Sequence, residues 1–279
     1  MFVIEKNNGM KRYTLLFMLV FILCPCADAI DNLRIPDLRT LSIGGGGVSE
    51  TPLFNPSLLT TLSQHKIYAN YYNRYSVSEL ATVSGGLYFI NNMLPVGFDI
   101  TSFGYDEYRE SLFRFSMAKQ IAAKWSLGVA LQYMLLQSVL FEESSGRVST
   151  DIGITYKPVE NMLTGLSIIN MPSVQVGDKN IDNKHITPYI LQAGFNWAVI
   201  NTVLITGSLD YIEAQPFVGS LGMEYTPFDN FRIRAGLRTS PLKPSLGIGY
   251  QISDIQIDAG MIYHSVLGIS MGLGISFSF

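Results

Sequence analysis

The stretch Leu267-Gly268-Ile269-Ser270-Met271-Gly272-Leu273-Gly274-Ile275-Ser276-Phe277-Ser278-Phe279 alternates without a break. Every odd position is large and apolar, and every even position is glycine or serine. A β-strand sends successive side chains to opposite faces, so this strand has one oily face and one face with almost no side chains. An apolar strand left at a sheet edge invites aggregation. It is safe in a buried sheet, or in a closed barrel whose oily face meets lipid and whose backbone groups all pair between strands.

The same period-2 pattern recurs upstream, broken by short turn signals. Strands are expected near 66–74, 80–90, 93–103, 107–120, 124–138, 146–157, 161–170, 186–198, 201–212, 215–226, 229–239, 243–252, 254–264 and 267–279. In the fifth, Trp125, Leu127, Val129, Leu131 and Tyr133 oppose Ser126, Gly128, Ala130 and Gln132. In the eleventh, Phe231, Ile233, Ala235 and Leu237 oppose Arg232, Arg234, Gly236 and Arg238. The second face decides the reading. A soluble β-sandwich would show water a face rich in Lys and Glu, whereas here that face is mostly Gly, Ser, Thr, Asn and Gln. Such a face suits a confined interior. Tyr and Trp end many of the apolar rows, as at Trp125, Tyr133, Tyr189, Trp197, Tyr211, Tyr225 and Tyr263, in the manner of interfacial aromatic girdles. The fold expected is therefore all-β: a transmembrane antiparallel barrel of about fourteen strands over residues 66–279. A secreted two-sheet sandwich is the structural alternative.

Charged residues make up only 15% of the 279-residue chain, and the formal charge is −3. No run of eighteen or more apolar residues exists, so a conventional membrane helix is not expected. Residues 1–29 read as an export signal: Lys11 and Arg12, an apolar run from Leu15 to Leu23, then Ala27-Asp28-Ala29 as the cleavage site. Met10 is a plausible start. Cys24 and Cys26 both fall in the signal, so no disulfide is expected in the mature chain, and Leu23 and Pro25 disfavour lipid attachment at either. These features address the chain to a bacterial outer membrane. The partners expected there are membrane lipid and the barrel assembly machinery, with Phe277 and Phe279 as the C-terminal assembly signal. No nucleic-acid partner is expected.

Residues 30–65 differ from the rest. Gly44, Gly45, Gly46 and Gly47 allow tight turns and close backbone approach, and no Gly-Lys-Ser/Thr follows to make a phosphate loop. Then come Asn55-Pro56-Ser57-Leu58 and the first strand. This arrangement resembles FadL-type outer-membrane transporters and their relatives PorV and PorQ, where a glycine-bearing segment with an Asn-Pro-Ala-like motif leads into about fourteen strands. Here Ser57 replaces the alanine. The resemblance implies that residues 30–65 are a hatch plugging the barrel. It also implies passage of a small hydrophobic or amphipathic solute. The chain is short for a FadL transporter, which moves the comparison toward PorV and PorQ and keeps open a second role, as an interaction protein serving a secretion or surface-attachment machine. FadL-type barrels release cargo through a kink in the third strand, and Pro95-Val96-Gly97 is the corresponding candidate, either a bend or simply a strand start.

No catalytic, cofactor or metal constellation is present. His65, His185 and His264 lie far apart with no ligand spacing. Gly268-Ile269-Ser270-Met271-Gly272 has the spacing of a nucleophile elbow but sits inside a strand, not at a strand-to-helix turn. The residues singled out are the inward charges Asp99, Arg114, Asp151, Lys157, Asp210, Glu224, Arg232, Arg234, Arg238 and Asp258. On the lipid face a basic residue would cost about 2–4 kcal/mol at mid-membrane. Inside, they either pair across the lumen and hold the hatch, or line a path for solute. Arg232, Arg234 and Arg238 share a strand face and predict a local positive stripe.

Overall fold

The computed structural model describes residues 32–35, 37–139, 144–177 and 187–279. The proposed signal at 1–29 lies outside the described residues, as does His185. Among the described residues, a short helix, α1 (Leu38–Ser42), and a 3-10 segment (Pro56–Thr61) precede fifteen strands. These are β1 (Lys66–Asn73), β2 (Ala81–Phe89), β3 (Val96–Tyr105), β4 (Tyr108–Ala122), β5 (Trp125–Ser138), β6 (Ser145–Val159), β7 (Met162–Ile169), β8 (Ser173–Gly177), β9 (Ile190–Ile200), β10 (Val203–Ile212), β11 (Val218–Phe228), β12 (Phe231–Arg238), β13 (Lys243–Ile252), β14 (Ile255–His264) and β15 (Gly268–Ser278).

Fourteen of them close a barrel. From β1 to β7 each strand pairs antiparallel with the next, β7 pairs with β9, and the series runs on to β15, which returns to β1 through Lys66↔Ser278 to Asn73↔Met271. Along each strand burial alternates. In β5, Leu127, Val129 and Leu131 are exposed while Ala130 and Gln132 are buried. In β15, Met271, Leu273 and Ile275 are exposed and Ser270 is buried. The oily rows therefore face outward all round the barrel and the small and polar rows face inward, the reverse of a water-soluble sandwich.

The two ends differ. At one, β4–β5, β6–β7, β9–β10, β11–β12 and β13–β14 are joined by two-residue turns, and the chain enters β1 and leaves β15 there. The other end carries most of the longer connections, including Arg74–Leu80 and the segment between β5 and β6. We call these the turn end and the loop end.

The stretch between the strands expected near 161–170 and 186–198 is not all connection: it contains β8, which pairs with β6 from Ser145↔Gly177 to Ser149↔Ser173. The strand β7 thus resumes as β8 after an interruption at Asn170, Met171 and Pro172. Ile152 faces Ile168, so Ser149, three residues on, would face residue 171; it faces Ser173, and two extra residues are bulged out. The ladder bridges the bulge through Met171 N–H to Thr150 O (2.9 Å) and Thr150 N–H to Pro172 O (3.1 Å). Of the two readings of Pro95 and Gly97, a bend or a strand start, the strand start is the one found. Pro95 stands one residue before β3, where its missing N–H deprives no ladder partner, and both β2–β3 and β3–β4 run without a register shift. Gly97 is there for space: a Cβ would lie 2.7 Å from Ser116 Oγ and 2.8 Å from the Tyr88 ring.

Candidate functional site

The inward face is small where the N-terminal segment lies against it. A Cβ on Gly236 would come within 2.1 Å of Gly44 N, one on Gly247 within 2.1 Å of Ser42 Oγ, and one on Gly128 within 2.3 Å of Ser57 N. At Gly236 and Gly128 backbone meets backbone, and at Gly247 the wall meets a serine side chain, approaches that leave no room for a Cβ. Leu33 packs with Phe103, Leu112, Met134 and Leu136 near the loop end, whereas Leu59 packs with Tyr88 and Ala118 near the turn end. The segment therefore runs from the loop end to the turn end before entering β1.

Asn55 and Pro56 make the turn by which it is held to the wall. Asn55 caps the 3-10 segment: its Oδ1 accepts from Ser57 N–H (3.2 Å) and Ser57 Oγ–H (2.6 Å). Its Nδ2 donates to Val48 O (3.0 Å) and to Ile154 O on β6 (3.2 Å). Asn55 is fully buried, so all these bonds replace water that is not available. Proline follows naturally at the first position of the helical turn, where no N–H is needed. Gly44, Gly45 and Gly47 adopt positive φ of 95°, 73° and 80°, which L side chains rarely do. Gly46 abuts the wall instead: a Cβ there would lie 2.4 Å from Ser208 Oγ.

The inward charges form two buried networks on opposite walls. On β3 to β6, Arg114 bridges Asp99 (3.0 Å) and Asp151 (3.2 Å), and its third contact is Pro52 O of the N-terminal segment (3.0 Å). Arg34, from the same segment, binds Asp151 (3.0 Å) and Gln132 (2.9 Å). Tyr68 O–H donates to Asp99 (2.6 Å), and Asn170, at the β7 bulge, donates its backbone N–H to Asp151 (2.9 Å) and accepts from Gln132. The side chains of Arg114 and Asp151 are both 0% exposed, so each charge depends on its partner.

On β10 to β14, Glu224 accepts from Arg39 of α1 (2.9 Å) and from Arg234 (2.6 Å), which also reaches Asp258 (2.6 Å). Arg238 pairs with Asp210 (3.2 Å) and donates to Gly45 O (2.9 Å). The positive stripe expected from Arg232, Arg234 and Arg238 is therefore not there: carboxylates from neighbouring strands neutralise the last two. Arg232 stands apart, donating to Gln251 (2.9 Å). Lys157 is exposed at the turn end. Phe277 and Phe279 stack on each other on the outer face at 5.6 Å.

Between the N-terminal segment and the wall, toward the loop end, lies a cavity of about 160 Å³. Ile35, Leu41, Phe54, Ile190, Ile212 and Val218 form an apolar side, and Arg74 and Lys243 supply a cationic side, with His264 and the Asp210-paired Arg238 beside them. No carboxylate lines it among the described residues. Arg34, Arg39 and Lys243 were not expected here. The signal for the first two was legible: two arginines in the N-terminal segment, opposite a barrel wall that carries inward acids.

No protein-family model and no curated protein sequence matches the chain. Solved structures do match. The toluene transporter TodX of P. putida superimposes with a TM-score of 0.66 at 12% identity, covering 88% of this chain and 99% of that one. A FadL homologue of Pseudomonas aeruginosa gives 0.58 at 12% identity, covering 88% and 98%. The outer membrane protein Omp33 of Acinetobacter baumannii gives 0.51 at 10% identity, covering 77% and 98%. The chain has the fold of an outer-membrane barrel. At these identities the likeness speaks for the fold, and the inward side chains must be read on their own terms.

Proposed function

We propose that the protein is an outer-membrane transporter that passes a small amphipathic solute, with residues 30–65 as the plug of its barrel. The observation that carries this is the cavity, closed by the N-terminal segment, with one apolar side and one cationic side. A site so lined suits a molecule with an oily body and a negatively charged or strongly polar head. The paired networks tie the segment to both walls, which favours a selective site over a general diffusion pore. The bulge at Asn170 to Pro172 interrupts the regular ladder beside the apolar cluster of Phe54, Ile169 and Ile190. The similar folds of a toluene transporter and a FadL homologue agree with this reading. A role as a PorV/PorQ-like component of a secretion machine has no observation of its own here.

The test is uptake into proteoliposomes of an alkyl carboxylate and of its neutral amide. Faster uptake of the acid, reduced several-fold by Lys243→Ala, is expected. Equal entry of both with wild type and variant, or entry no faster than into empty liposomes, would overturn the proposal.

A further inference from the structure

On the outer wall two rows of side chains run in register across β12 to β15 and β1. One is Leu246, Met261, Met271 and Asn73; the next is Ile233, Ile248, Ala259, Leu273 and Tyr71. Ala259 stands at the centre of the second row, between two large exposed residues, Ile248 at 51% and Leu273 at 61%. Behind it the wall is bare backbone at Gly247, Gly260 and Gly272. The result is an outward-facing hollow of about 890 Å³. That lies within the roughly 300–1,000 Å³ range of small-molecule sites. Its outward side chains carry no charge, and its polar groups, the Tyr71 hydroxyl, Asn73 and Ser76, gather at the loop end.

We propose that this hollow retains one acyl chain of a lipid from the leaflet at the loop end, with the lipid head at Asn73 and Ser76. Two arguments select that occupant. The hollow is continuous with the apolar belt that the barrel presents to the membrane, so acyl chains reach it directly. It is also concave on a convex wall. A second copy would bring another convex wall, which cannot fill a recess, whereas a flexible chain can lie along the trough between Ile248 and Leu273. The inference depends on the barrel spanning a membrane and not on what it transports.

The experiment uses the full-length protein in nanodiscs containing phosphatidylethanolamine spin-labelled on its acyl chain. Electron paramagnetic resonance counts motionally restricted lipids per barrel, and native mass spectrometry after detergent release reads any retained adduct. Ala259→Phe fills the floor from the lipid side and should remove one restricted lipid and the adduct. Val129→Phe, an outward position on β5, should leave both unchanged. Leu273→Ala lowers the rim and should release the adduct at lower detergent concentration, which keeps the test open if Ala259→Phe folds poorly. The proposal fails if Ala259→Phe or Leu273→Ala matches wild type, if Val129→Phe has the same effect as Ala259→Phe, or if the retained mass is a second copy of the chain.

Discussion

A Cβ on Gly153 would stand 2.0 Å from Oδ1 of Asn55, so the sixth strand and the Asn55-Pro56 turn are shaped to one another. The approach is closer than any side chain permits, and the same oxygen must accept from Ser57. Gly153→Ala should therefore displace the turn. A loss of about 1–3 kcal/mol is expected from such overpacking, read as a lower urea midpoint of the refolded barrel. A midpoint equal to wild type would mean that the N-terminal segment is not seated there.

Asp151 holds Arg34 from the N-terminal segment and Arg114 from the wall. Asp151→Asn keeps the shape and removes the charge, leaving two buried guanidiniums with too few anions. The expected cost is about 3–5 kcal/mol. Limited proteolysis should then cut within residues 30–65 at a protease concentration that leaves wild type intact.

Arg39 to Glu224 is the corresponding tie on the far wall, and it is partly open, with the Arg39 side chain 27% exposed. Arg39→Met should be milder than Asp151→Asn. Glu224 keeps Arg234, so neither it nor Asp258 is left without a cationic partner. The two variants compared by the same proteolysis assay should rank in that order.

Deletion of residues 30–64 should convert a nearly silent barrel into a conducting one. Planar bilayer recording reads this directly, and unchanged single-channel current after deletion would contradict a plug.

His65 and Phe279 exchange both backbone hydrogen bonds at 3.0 Å and their rings lie 5.3 Å apart, closing the seam between the ends of the chain. Removal of Phe279 alone should slow barrel formation, seen as a delayed appearance of the heat-modifiable band, while Phe279→Tyr should not.

The barrel was legible because period 2 leaves an unmistakable trace when one face is oily and the other is nearly bare. All fourteen wall strands fall within a few residues of their expected places. The glycines of the bare face were legible as small but not as contacts, since their reason lies on another segment: Gly236 answers to Gly44, and Gly153 to Asn55. Apart from Lys157, which is exposed at the turn end, the charges read as inward face the interior, yet their partners were not legible, because Arg234 and Glu224 meet through strand register and sequence alone does not fix it. The third-strand bend was drawn from resemblance. The bulge at Asn170 was hidden because Met-Pro after an apolar run looks like the start of a loop.

The tie of the N-terminal segment to opposite walls fixes an order of events. A segment bonded to Asp151 on one side and Glu224 on the other, and continuous with β1, has no wide entrance left once β1 meets β15. Its contacts to both walls favour wrapping while the sheet is still curling, with the zipping of first strand to last around a part of the chain itself as the closing step.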